Sequence, residues 1–166
     1  TDVGSVKFDN EALTTIAGQE TSVEIMVTKN TDEGVLASYT VTATRASGGN
    51  LLPESSSNNG TVTITVAKPT VTEGNTLEAW YVVDNSGSLV YVEELDTAPV
   101  GGNQIAITIG HLSTVVLTDG EPASGLAVAN VIDKATGSVT PYTDLQTALN
   151  ATVTGDTVQL IRDIEV

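Results

Sequence analysis

The sequence predicts a mostly β fold, with an antiparallel sandwich over residues 1–119 and a small ββαβ unit over 126–166. Three observations carry that expectation. Threonine alternates with valine or isoleucine in SYTVTATR (38–45) and TVTITVAK (61–68), and QIAITI (104–109) repeats the pattern. Period two sends one kind of side chain to each sheet face, and both kinds are branched at Cβ and favour strands. The Val/Ile face is expected in a core and the Thr face in water, as in a half-buried antiparallel sheet. A Rossmann-type sheet would read apolar on both faces. Turn-forming residues then cut the chain into strand-length pieces. Only one convincing helical window exists, near residue 145.

Taken in order, VGSVKF (3–8) reads as a first strand, and ALTTIAG (12–18) is open between a strand and a turn of helix. TSVEIMVTK (21–29) reads as a strand, with Val23, Ile25 and Val27 on one face and Ser22, Glu24 and Thr28 mostly on the other. NTDEG (30–34) is a turn, and a strand over 35–46 follows. SGGNLLPESSSNNG (47–60) reads as an exposed loop with Leu51 and Leu52 tucked beneath it. The strand 61–68 ends at Pro69, which has no N–H to give a ladder. LEAWYVVDNSGSLVYVEEL (77–95) reads as a hairpin reversing at Asp84-Asn85-Ser86-Gly87, with Trp80 as a core anchor. TAPVGGN (97–103) turns the chain into the strand 104–109, and HLSTVVLTD (111–119) supplies a closing strand. Seven or eight strands in about 115 residues fit an Ig-like sandwich.

DGEPASG (119–125) reads as a linker, because no periodicity crosses it. Beyond it, LAVANVID (126–133) is a strand, KATG a turn and SVTPY a second short strand. Thr143 or Asp144 caps a helix that begins near Leu145, where Leu145, Ala148 and Leu149 form one apolar face. Gly155 stops the helix. DTVQLIRDI (156–164) follows as a strand with Val158, Leu160 and Ile164 on one face. The unit is too small for much independent stability and is expected either to pack against the sandwich or to lead into further structure, as the start of a further domain.

Composition excludes several function classes. The chain has 166 residues, with 21 Asp+Glu against 6 Lys+Arg and a net charge of −15. Such a surface repels nucleic-acid phosphates and anionic membranes. There is no cysteine, so disulfides and thiolate metal sites are excluded. No apolar run approaches membrane-spanning length, which argues against membrane insertion. TDVGSVKF lacks the basic and apolar regions of a signal peptide. With no initial Met and an apolar, strand-like end at IRDIEV, the chain reads as a piece of a longer polypeptide.

The residues with chemical potential read mainly as structure. His111 is the only histidine. It shares a strand face with Ser113 if the closing strand runs through both, but no G-x-S-x-G elbow marks that serine as a nucleophile. One His and no Cys make a poor zinc site. Asp32-Glu33, Glu93-Glu94-Asp96 and Asp119-Glu121 are hard-oxygen clusters for which Ca²⁺ is the fitting ion, although none forms an EF-hand loop. Their other reading is loop solvation and strand-edge protection. A Lys7 amine joined to Asp119 or Asn103, with Glu24 or Glu78 as the assisting acid, is the intramolecular isopeptide arrangement open to a Cys-free surface sandwich. Gly155-Asp156-Thr157 lacks the Gly-rich run and Lys of a phosphate loop and reads as a turn. No catalytic, cofactor-binding or metal-binding residue is expected, and enzyme activity is not.

Two segments carry a resemblance. TVTITVAKPT, LEAWYVVDNSGSLVYVEEL and NQIAITIGHLSTVVLTD, within 61–119, together resemble the closing half of Ig-like modules in large surface proteins of Gram-positive bacteria. His111, Leu112 and Ser113 stand at that pattern's signature, and Val115 replaces its usual Tyr. VIDKATGSVTPYTDLQTALNATVTGDTVQLIRDI (131–164) looks like the opening of a repeat found in bacterial adhesins, through Tyr142, Leu145, Gln146, Ala148, Gly155, Asp156, Thr157 and Leu160. The resemblance implies a non-catalytic structural or adhesion module of a secreted or cell-wall-attached protein, outside the cell. Its partners would be neighbouring domains of the same polypeptide and a host or matrix protein or glycan. The alternative is a carbohydrate-binding module that stacks sugars on Trp80 or an exposed Tyr. That alternative loses its best evidence if Trp80 is buried and no planar aromatic patch exists.

Overall fold

The computed structural model describes residues 3–17, 23–45, 60–85 and 87–163. The predicted loop at 47–60, with Leu51 and Leu52, lies outside the described residues except for Gly60. So do Ser22, Ser86 and Ile164. The chain is mostly β, with several antiparallel sheets and, among the described residues, two short helices. Its packing divides it into two compact units, Thr1–Tyr81 with Glu94–Glu121 and Val82–Glu93 with Pro122–Val166.

In the first unit, β1 (Val3–Phe8), β4 (Val62–Ala67), β8 (Gln104–Ile109) and β7 (Thr97–Val100) form one sheet in the order β1-β4-β8-β7. β4 and β8 run antiparallel and set Val62 opposite Ile109, Ile64 opposite Ile107 and Val66 opposite Ile105. All six side chains are buried. Burial of each such side chain contributes about 1.5–3 kcal/mol, and a one-residue slip would turn all of them to the other face. The alternation legible in TVTITV and QIAITI therefore sets the register.

A second sheet is ordered β2-β3-β9-β5-β6, from β2 (Val23–Asn30), β3 (Ala37–Arg45), β9 (Thr114–Asp119), β5 (Leu77–Asn85) and β6 (Ser88–Glu94). The unit boundary falls within β5. Tyr39, Val41 and Ala43 of β3 are buried, and so are Val115 and Leu117 of β9. The opposite face is polar but not freely solvated. Thr40, Thr42 and Thr44 are half-buried, and Ser38 is fully buried. Asn30 Nδ2 donates to Ser38 Oγ at 3.1 Å and to Thr40 Oγ1 at 2.8 Å, and Thr40 Oγ1 pairs with Thr114 Oγ1 at 2.9 Å. A ladder of side-chain hydrogen bonds thus crosses three strands where an open Thr face was expected.

Three local expectations are corrected or decided. Residues 10–17 form a helix, α1 (Asn10–Ala17). The Asp9 carboxylate accepts the Ala12 N–H at 2.7 Å as an N-cap, and Ala12 and Ile16, one helical turn apart, are buried. TAPV is a strand, β7, rather than part of a turn; it pairs antiparallel with β8, and all four residues are exposed. Pro99 is tolerated there because β7 is an edge strand. The closing strand begins only at Thr114, so His111 and Ser113 lie in the bend before it.

In the second unit, β10 (Ala129–Ile132) is the centre of a three-stranded antiparallel sheet, flanked by β11 (Val139–Tyr142) and β12 (Thr157–Leu160). Helix α2 (Leu145–Ala151) lies between β11 and β12 in the chain. Ala129, Val131 and Ala148 are the buried core, joined by Val128, Tyr142, Leu145 and Val158. The predicted helical face holds for Leu145 and Ala148. Leu149 is 47% exposed and Leu160 is 56% exposed, so neither is covered as expected. Tyr91 of β6 also belongs to this unit. Its N–H donates to Gly125 O and its carbonyl accepts from Ala127 N, each at 2.8 Å, around a parallel bridge to Leu126.

Candidate functional site

Among the described residues, four Asp–Thr clasps organise polar groups, none of them singled out from the sequence as pairs. In each, one carboxylate accepts both the backbone N–H and the hydroxyl of one threonine. Asp9 Oδ2 takes Thr61 N at 2.7 Å and Thr61 Oγ1 at 2.8 Å, while its Oδ1 caps α1. Asp119 Oδ1 takes Thr72 N at 3.0 Å and Asn75 Nδ2 at 3.1 Å, and its Oδ2 accepts from Thr72 Oγ1. Asp133 Oδ1 takes Thr136 N at 2.7 Å and Thr136 Oγ1 at 3.0 Å. Asp144 Oδ1 takes Thr147 N and Thr147 Oγ1, both at 2.7 Å, as the N-cap of α2.

Every donor in these clasps stabilises the ionised carboxylate. Each carboxyl therefore titrates below its ordinary value of 3.8. The leading cause is the Ala12 N–H for Asp9, the Thr72 hydroxyl for Asp119, the Thr136 N–H for Asp133 and the Thr147 hydroxyl for Asp144. The clasps hold chain segments together. Asp9 closes β1 and α1 onto the start of β4, and Asp119 closes the end of β9 onto the segment before β5. Asp156 acts similarly without a threonine, accepting Lys134 N at 3.1 Å and Val153 N at 2.9 Å. Gly155-Asp156-Thr157 is accordingly a pinned turn.

The residues weighed for chemistry from the sequence are scattered by comparison. The His111 ring packs edge-on against Tyr81, with centroids 4.4 Å apart and planes at 73°. Ser113 Oγ is buried and makes no hydrogen bond to a described residue, so the serine–imidazole contact required for nucleophilic activation is not formed. Trp80 is 3% exposed, and its indole N–H donates to Glu78 Oε2 at 3.2 Å. A buried indole presents no ring face to a sugar. Lys7 is exposed on β1 opposite Thr63, whereas Asp119 is engaged by Thr72 and Asn75, and Asn103 caps Lys68 through backbone and side chain. No hydrogen bond or ion pair joins Lys7 to the Asp119, Asn103, Glu24 or Glu78 side chains among the described residues.

Among the described residues, no group of three or more His, Asp or Glu side chains converges to hold a metal ion. Both Asp119 oxygens already face N–H or O–H donors, whose positive ends compete with a cation. Glu93, Glu94 and Asp96 are all exposed. No described helix is long and apolar enough to cross a membrane. No family model, curated protein or solved structure matches this chain.

Proposed function

We propose that the chain is a non-catalytic structural or adhesion module of a secreted or cell-wall-attached bacterial surface protein. Its first unit would be an Ig-like sandwich, and its work would be to space and present neighbouring domains outside the cell. One observation carries most of this reading: a Cys-free chain builds two compact β-rich units, each with its own apolar core and each with turns or helix starts pinned by Asp–Thr clasps. The sandwich reading is supported by the alternate burial along β4, β8 and β3, which is what two facing sheets produce, and by the long crossovers that pair β3 with β9 and β4 with β8.

The carbohydrate-binding alternative loses its main support with Trp80 in the core. As the only Trp, it should emit at the short wavelengths of a buried indole and resist quenching by iodide. Antibodies raised against the chain should label intact, unpermeabilised cells of the source organism. Labelling that appears only after lysis would refute the surface assignment. A glycan array with saturable binding would restore the alternative.

A further inference from the structure

We infer that the Asp119 clasp also guards the chain against isomerisation at its only Asp-Gly pair, Asp119-Gly120. Asp-Gly is the Asp-containing sequence most prone to cyclise, because glycine has no Cβ to shield the attacking amide. In that reaction the Gly120 nitrogen attacks Asp119 Cγ and a C–N bond forms. A Cγ–O bond breaks, and the oxygen leaves as water with the amide proton and one further proton. Water then adds back across either imide C–N bond, giving aspartate or isoaspartate with no net change in mass and no outside reagent.

The structure opposes each part of that step. The Gly120 N–H is committed to Thr76 O at 2.9 Å. Thr72 N and Asn75 Nδ2 hold Oδ1, and the Thr72 hydroxyl holds Oδ2, so Cγ cannot swing toward the Gly120 nitrogen without breaking three hydrogen bonds. Asn75 Nδ2 also reaches the Asp119 carbonyl oxygen at 3.3 Å and fixes the main chain on the other side of Cα. The same donors favour the ionised carboxylate, from which oxygen departs less readily than from the neutral acid. Gly120 itself sits at φ +84°, a left-handed conformation that side-chain-bearing residues rarely adopt. The glycine that makes Asp119 prone to cyclise is thus required by the turn, and the clasp offsets that exposure. Isoaspartate here would add a methylene to the main chain within the first unit, two residues before that unit ends at Glu121.

The test compares isoaspartate accumulation at residue 119 in four samples of the full chain, in warm neutral buffer. The samples are the folded protein, the same protein unfolded in urea, Thr72→Val/Asn75→Ala, and Ile107→Val. Peptide mapping with electron-transfer fragmentation reads the isomer. The folded protein should accumulate it far more slowly than the unfolded chain. The double variant should accelerate it roughly tenfold, the order expected when the lost hydrogen bonds raise the locally open fraction. Ile107→Val weakens the core away from the clasp and should leave the rate near wild type. Circular dichroism confirms that each variant is folded. Equal rates in the folded and urea samples, no acceleration in the double variant, or equal acceleration in Ile107→Val would each overturn the inference.

Discussion

Replacing threonine by valine should have opposite effects at two positions on the same face of the second sheet. Both residues are β-branched and nearly equal in shape, so the exchange isolates the hydroxyl. Thr118 is 4% exposed, and its Oγ1 is buried without a hydrogen-bond partner among the described residues. That hydroxyl has lost its water and gained nothing, a situation that costs about 1–3 kcal/mol. Thr118→Val should recover about 1 kcal/mol and raise the midpoint of thermal unfolding by about 2–4 °C for a chain of this size. Thr40 is the reverse case. Its hydroxyl links Asn30 at 2.8 Å to Thr114 at 2.9 Å, so Thr40→Val removes two hydrogen bonds and leaves Thr114 half-buried without that partner. The expected cost is about 1–2 kcal/mol. Urea unfolding followed by Trp80 fluorescence reports on the first unit, which holds all three residues. Destabilisation by both substitutions would refute the reasoning, because the Thr118 hydroxyl would then have to be satisfied.

Other expectations follow from the same structure. Asp9, Asp119, Asp133 and Asp144 all titrate below 3.8 in the fold, so their contribution is fully present above that pH and is lost as the pH falls through the lower folded values. Thermal melts between pH 7 and pH 2 should therefore hold nearly level down to about pH 4 and then drop, and Asp119→Asn should flatten part of that drop. Gly60→Ala should destabilise by about 1–3 kcal/mol, since Gly60 sits at φ +72° and an added Cβ would collide with Ala12 N and Asp9 Oδ1; chemical unfolding would read this. Ile107→Ala, fully buried against Ile64, should cost about 2–5 kcal/mol, and a loss under 1 kcal/mol would mean the site collapses to fill the gap.

The strands that carry Thr/Val alternation were legible because burial on one face is a local pattern. β3, β4 and β8 each lie within a residue or two of the reading from period two. β7 was not legible. TAPV has no buried residue and contains a proline, and it is a strand only because β8 offers it an edge. The His111–Ser113 face failed for a related reason: strand pairing starts at Thr114, and alternation cannot be extended past the last paired residue. α1 was ambiguous because ALTTIA suits either period. Asp9, three residues before Ala12, was the signal that could have decided for a helix.

The clasps divide along the same line. Asp133–Thr136 and Asp144–Thr147 are three residues apart, and D-x-x-T is visible in the sequence as a turn or cap. Asp9–Thr61 spans 52 residues and Asp119–Thr72 spans 47, so nothing local marks them. Yet the non-local pairs constrain the fold most, because each joins segments that only the sheets bring together. Threonine therefore serves this chain twice. Along β3 it fills a strand face and bonds across strands, and at the ends of strands it donates twice to an aspartate. A protein without cysteine, with 21 acidic residues, has many carboxylates to place. Setting four of them against threonine turns surplus negative charge into cross-links that hold at neutral pH and release in acid. That consequence follows from the clasp geometry and the lowered titration of its carboxyls, and is independent of the surface-module proposal.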